Sequence, residues 1–142
     1  MIGYAAAGDL LEACARAWET FDADAMVAIF ADEAEYHEDP FGVPLVGHNA
    51  LRAYLLDASA SQRDVELTIE RHWVSGDTVL AAWHAQFTRR ASGQLVRMAG
   101  FLTAEIAPDG RISSLRKWTR YGPERQGLRE EDRWPETSHS TS

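Results

Sequence analysis

The chain has 142 residues, 45% of them hydrophobic and 25% charged, and a formal net charge of −8. That composition supports one sizeable core and excludes a disordered chain, while the acidic balance lacks the basic face that nucleic-acid binding needs. The single cysteine, Cys14, rules out an intrachain disulfide framework and a cysteine-based zinc cluster, and reads as a buried structural thiol.

From the N-terminus, residues 1–9 have no basic segment of a signal-peptide kind, and no apolar run in the chain approaches the ~18 residues of a bilayer span. A cytoplasmic protein with no membrane partner is expected. Leu11, Cys14, Trp18 and Phe21 then fall at spacings that predict one face of an amphipathic helix. Asp22 or Asp24 can cap a second, shorter helix carrying Met26, Ile29 and Phe30. A short extended piece runs from Glu35 to Asp39 and stops at Pro40, because the residue before proline is pushed out of the helical region. Phe41 to Gly47 reads as a loop, and Leu51, Tyr54 and Leu55 mark a third helix with His48 or Asn49 as its cap.

Beyond that point the apolar period changes from 3.6 to 2. Val65, Leu67, Ile69 and Trp73 alternate with Glu66, Thr68, Glu70 and His72, which predicts a half-buried strand. After the Ser75-Gly76-Asp77 turn, residues 78–90 form a second strand with Val79, Ala81, Trp83, Ala85 and Phe87 on one side. A third runs from Leu95 to about Ile106, and Pro108-Asp109-Gly110 is a hairpin turn. The fourth, Arg111 to Tyr121, carries Ile112, Leu115, Trp118 and Tyr121. Helices followed by consecutive antiparallel strands predict an α+β domain over residues 1–121, with three N-terminal helices packed on a curved antiparallel sheet. Residues 122–142 read as a polar extension, in which Trp134 is an apolar anchor for the body or for a neighbour.

The run Phe30-Ala31-Asp32-Glu33-Ala34, the run Glu38-Asp39-Pro40-Phe41-Gly42, Gly47, and the turn Asp109-Gly110-Arg111-Ile112 together resemble the nuclear transport factor 2-like superfamily, in its ketosteroid isomerase and SnoaL-like polyketide cyclase branch. The resemblance covers roughly residues 8–121 and implies a cone-shaped fold with a pocket at its open end. It implies a general base at Asp39. Strand alternation puts His37, two residues earlier, on the same face, where it can partner that acid. Apolar walls would raise the pKa of such an acid toward neutrality. The competing use of Asp39 is to cap the Phe41-Gly42 turn. The resemblance also marks departures: Cys14, Leu102 and Phe30 stand where the isomerases are expected to carry a tyrosine, an acid and a supporting tyrosine. The oxyanion hole of those enzymes is therefore missing.

Parity along the strands places Trp83 and Phe87 with Met98 and Leu102 on the concave side, and Trp18, Phe41, Tyr54 and Trp118 complete the expected substrate wall. A hydrophobic small-molecule ligand is the expected partner, with no nucleic acid, no cofactor and no metal, since His37, Glu38 and Asp39 alternate across the strand. His84 and His72 fall on the outer face, and Arg97 and Arg116 serve a ligand carboxylate or pair with Glu105 or Glu70 across strands. The leading expectation is a cofactor-free isomerase, cyclase or dehydratase that moves a proton with Asp39. The alternatives are a non-catalytic binding or assembly module of the same shape, or an epoxide hydrolase, which needs two acids and an arginine around one water. Family analogy implies a homodimer through the convex face, where Val74, Leu80, Ala82 and Leu115 are apolar.

Overall fold

The computed structural model describes residues 1–123 and 125–126. Helix α1 spans Tyr4–Thr20 and buries Ala7, Leu11, Cys14, Ala15 and Ala17. It ends where Phe21 turns left-handed (φ 52°) and the Asp22 N–H donates to the Ala17 carbonyl at 2.9 Å. Asp22 then caps helix α2, Ala23–Ala28, by accepting from the Ala25 N–H at 3.1 Å. Strand β1 is Phe30–His37, β2 is Leu45–Val46, and helix α3 is His48–Ser61. Strands β3 (Gln62–Ser75), β4 (Thr78–Arg89), β5 (Gln94–Ile106) and β6 (Ile112–Tyr121) follow, with a two-residue strand β7 at Arg125–Gln126 paired to β5. The sheet runs β2-β1-β6-β5-β4-β3, and the helices pack on one side of it, as expected for an α+β cone.

Several boundaries differ from the sequence reading. Phe30 is not the end of the second helix but the first residue of β1, fully buried opposite Ile112. The β1–β6 pair is parallel while the other strand pairs are antiparallel, so the chain crosses the whole sheet before closing on β1. Helix α3 starts from Gly47 at φ 87° rather than from a side-chain cap, which frees His48 to bond the Phe30 carbonyl at 2.9 Å.

Two irregularities reset which side chains face the helices. In β3 the register with β4 shifts between Ile69 and Arg71. Val65, Leu67 and Ile69 face inward as expected, but beyond the bulge His72 turns in toward α1 and Trp73 turns out, against Phe101. In β6 the register with β5 shifts between Glu105 and Ile106, so Ile112 and Leu115 are both buried although three residues apart. Counting on by twos from Leu115 brings Lys117 and Tyr121 inward and sends Trp118 to the outer surface, 40% exposed. The expected set of Ile112, Leu115, Trp118 and Tyr121 mixes the two faces, because a spacing of three is not a strand period.

β4 and β5 have no such break in their mutual pairing. Trp83 pairs with Gly100, Ala85 with Met98 and Ala81 with Leu102, so these side chains share the concave face as the parity predicts. Gly100 is required there. A Cβ at this position would run into the Trp118 carbonyl oxygen and the Trp83 indole, so only glycine leaves the ring its seat.

Candidate functional site

Between α1, α3 and the concave side of the sheet lies a cavity of about 100 Å³. Its size is of the order of the ~150 Å³ apolar cavity that admits benzene. Its walls come from the inward set of each element. Helix α1 contributes Leu11, Cys14 and Trp18, α3 contributes Tyr54, and β3 contributes Val65, Leu67 and Ile69. The central strands bring Trp83 and Phe87, then Met98 and Leu102, and β6 brings Leu115, Lys117 and Tyr121. Tyr36 and Glu38 enter from β1 and its end. Alternation explains the last pair: Ala34 and Tyr36 are buried while Glu33 and Glu35 are exposed, so Glu38 belongs to the inward set.

Within this apolar cup the polar atoms cluster. The Lys117 ammonium sits 5.5 Å from the Trp18 ring centre, 5.5 Å from that of Tyr36 and 5.7 Å from that of Trp83, a box of three π faces. Its nearest carboxylate oxygen, Glu38 Oε2, is 3.9 Å away, close enough for Coulombic attraction but beyond hydrogen-bond reach. Glu38 Oε2 and the Trp83 indole N–H are both buried with no hydrogen-bond partner. For the Trp83 N–H, in a residue 3% exposed, this costs roughly 1–3 kcal/mol, whereas the Glu38 side chain is 40% exposed and its carboxylate keeps part of its hydration. Burial, and then the Glu38 charge, hold the Tyr36 hydroxyl well above its ordinary pKa, with hydrogen bonding to the Trp18 side chain pulling the other way. Burial also pushes the Cys14 thiol up to about 11 against the lowering influence of Lys117, so it stays protonated and behaves as a packing group. Tyr54 braces the wall, edge-on to Trp18 at 5.6 Å and tilted against Tyr36 at 5.6 Å.

Of the residues expected at the site, Trp18, Tyr54, Trp83, Phe87, Met98 and Leu102 all line this cavity. Asp39 does not. It is exposed, and its Oδ1 accepts the Phe41 N–H at 2.8 Å, the turn-capping use of an Asp before proline. His37 also faces away from the cavity and pairs with Glu35 on the outer side at 3.0 Å. The physical reason is strand parity: His37 and Asp39 share a face, as the sequence reading held, but the opposite one from Tyr36. Phe41 is 97% exposed on the Pro40 bend, and Trp118, Asp39 and Phe41 border a second groove that shares Glu38 and Tyr121 with the cavity. His84 lies on the outer face, bonded to Glu70 at 2.8 Å. Trp134 lies outside the described residues.

The sequence reading missed Glu38, Lys117 and Tyr36. Two signals were present. Apolar residues at 34 and 36 among polar neighbours phase β1 so that residue 38 follows them. Lys117 is the only lysine in a chain with 14 Lys and Arg residues in all. What the sequence could not supply is the bulge in β6 that turns that lysine inward.

A family model described as a SnoaL-like domain matches residues 11–115. No curated protein matches the chain. Among solved structures, a protein of ketosteroid isomerase-like fold from Catenulispora acidiphila, in complex with trimethylamine, is 20% identical with a TM-score of 0.66 over 77% of this chain and 83% of its own. The epoxide hydrolase/cyclase-like enzyme SalBIII of salinomycin pyran-ring formation is 19% identical, with a TM-score of 0.71 over 80% of this chain and 90% of its own. An LEH-like epoxide hydrolase of Mycobacterium tuberculosis is 21% identical, with a TM-score of 0.70 over 82% and 84%. At these identities the likeness establishes the shared fold, and the chemistry has to be read from this chain's own side chains.

Proposed function

This chain belongs to the SnoaL-like domain family, and within it we propose an enzyme of isomerase, cyclase or dehydratase type acting on a small apolar molecule, with Glu38 as its general acid/base. The observation that carries this reading is the pair of buried, unpartnered polar atoms, Glu38 Oε2 and Trp83 Nε1, bordering an apolar cavity beside the Lys117 ammonium. A ligand carbonyl oxygen would accept from the Trp83 indole N–H, and a donor group on the ligand would give Glu38 Oε2 the partner it lacks.

In this reading the apolar walls exclude water and fix the ligand against Glu38, which suits proton transfer to or from a carbon next to a carbonyl. The developing negative charge on the ligand oxygen falls where the indole N–H and the ammonium can take it, a substitute for the tyrosine and acid that Cys14 and Leu102 replace. The epoxide-hydrolase alternative has less support: among the described residues lining the cavity, Glu38 is the one carboxylate and none is an arginine. The binding-module alternative is kept as an outcome of the test.

The test is solvent exchange. One-ring ketones incubated with the protein in D₂O should gain deuterium at the carbon next to the carbonyl, read by NMR. Glu38→Gln should cut the exchange rate by about 10²–10⁴-fold, the usual contribution of a positioned acid/base group, while quenching of Trp18 and Trp83 fluorescence by the ligand stays within a few-fold. Asp39→Asn should leave the rate unchanged. Exchange that depends on Asp39 and not on Glu38 would overturn the assignment. Tight binding with no exchange in any variant would leave a binding module.

A further inference from the structure

We infer that Lys117 is an amine nucleophile that captures a small aldehyde or ketone in the cavity as a covalent iminium, an inference that rests on the cavity being the ligand site. Three observations carry it. Lys117 is the chain's only lysine, and every other basic side chain among the 14 Lys and Arg residues is arginine. Its side chain is 19% exposed and its Nζ lies inside the cavity wall, with Glu38 at 3.9 Å. Its charge is held by three aromatic faces rather than by a hydrogen-bonded carboxylate. An arginine would serve a purely electrostatic role and does so elsewhere in this protein, as at Arg111 on Asp109 and Asp32. An ε-amine in an apolar pocket can also make a carbon–nitrogen bond, which a guanidinium cannot.

The step balances within the site. A carbonyl ligand fills the cavity, and Glu38 takes one proton from the Lys117 ammonium. The nitrogen lone pair then forms a bond to the carbonyl carbon, and the C=O π pair moves to the oxygen. The nitrogen of that adduct gives one proton to the oxygen and so regains its lone pair; the proton returned from Glu38 then converts the hydroxyl to water, which leaves as the lone pair closes the C=N bond. Ammonium plus carbonyl compound gives iminium plus water, with no oxidant or reductant. The product carries one positive charge on the same nitrogen as the resting ammonium, so the box of Trp18, Tyr36 and Trp83 stabilises both ends of the reaction. The Trp83 N–H is available to the ligand oxygen until it leaves. Once formed, the iminium withdraws electrons from the adjacent carbon, and Glu38 is positioned to move that carbon's proton. The ligand class follows from the lining: an aldehyde or ketone on a flat apolar body of about one ring, without a further charge.

The experiment is reductive trapping of the full chain with benzaldehyde and sodium cyanoborohydride, read by intact mass and peptide mapping. The N-terminal amine, paired with Asp77 at 3.2 Å on the surface, is the one other amine and serves as an internal reference. Labelling of Lys117 should exceed that of Met1 by roughly tenfold or more, as a site that concentrates its reactant does. Lys117→Arg should retain only the N-terminal adduct, and Glu38→Gln should slow capture at Lys117. Because the map locates the adduct in the unmutated protein, the result does not depend on the variants folding. Labelling of Met1 alone, while benzaldehyde still quenches tryptophan fluorescence, would overturn iminium formation and leave the acid/base reading of Glu38 intact. Absence of both quenching and labelling would also overturn this proposal, with the acid/base reading then judged by its own deuterium exchange.

Discussion

Cys14 and Tyr36 face the same cavity, and burial raises the proton affinity of both above their ordinary values. For Cys14 the folded value of about 11 stands against an ordinary 9.0. The unfolded chain therefore releases this proton first as pH rises. The contribution of the neutral thiol is complete below about pH 9 and is lost as the pH climbs through about 11. Two units correspond to about 2–3 kcal/mol. Urea unfolding at intervals from pH 8 to 11 should show that loss in the wild type and a flatter profile in Cys14→Ala, with Tyr36 still contributing a decline above pH 10. Equal slopes in the two proteins would mean that the thiol is not held neutral by its surroundings. At this scale the sequence placed Cys14 correctly as a buried thiol, because a small apolar residue on a helix's inner stripe is a local fact. It set the inward carboxylate at Asp39, whereas Glu38 lines the cavity, and a shift of one residue on a strand changes the face.

At the level of elements, β4 and β5 were legible and β1, β3 and β6 were only partly so. The first two pair with each other without interruption, so their period of two carries through and the partners Trp83 and Gly100 meet as parity dictates. Each of the others contains a register shift, at Phe30/Glu35, at Ile69/Arg71 and at Glu105/Ile106. A bulge leaves little trace in composition, and it flips every side chain beyond it. The Trp83–Gly100 contact offers a direct check on the regular part. Gly100→Ala should destabilise the protein by about 1–3 kcal/mol, the cost of overpacking a filled core, seen as a lower urea midpoint. It should also displace the Trp83 ring and weaken ligand quenching. Ala99→Ser, one residue away on the outer face, should change the midpoint by less than about 0.5 kcal/mol. If Gly100→Ala were as stable as the wild type, the close seat of the indole against β5 would be wrong.

Across the whole molecule, α1 forms one wall of the cavity and is fastened to β3, the last strand of the sheet, at both ends. Near its C-terminal end, Glu19 Oε2 accepts the Leu67 N–H at 2.9 Å and Arg16 donates to the Leu67 carbonyl at 3.0 Å, which covers an otherwise open strand edge. At its N-terminal end, His72 bonds the Tyr4 carbonyl at 3.0 Å and stacks on the Tyr4 ring at 4.0 Å, with Gly8 leaving room for the imidazole. His72→Ala removes a hydrogen bond and a stacked ring, worth about 1–2 kcal/mol locally. Amides from Ala7 to Leu11 should then exchange with solvent about tenfold faster or more while those of β4 are unchanged. Uniform acceleration through the sheet would show instead that the helix does not open independently.

The residue pattern alone determined the α+β class, the three helices, the long strands and most of the apolar cavity wall, because helical and strand periods are short-range properties written into neighbouring residues. It also carried the SnoaL-like resemblance that the family match bears out. Only the tertiary structure decided that the lone lysine stands in the cavity beside Glu38. That depends on the bulge in β6 and on the parallel closure of β1 against β6, which are set by pairing between segments far apart in the chain.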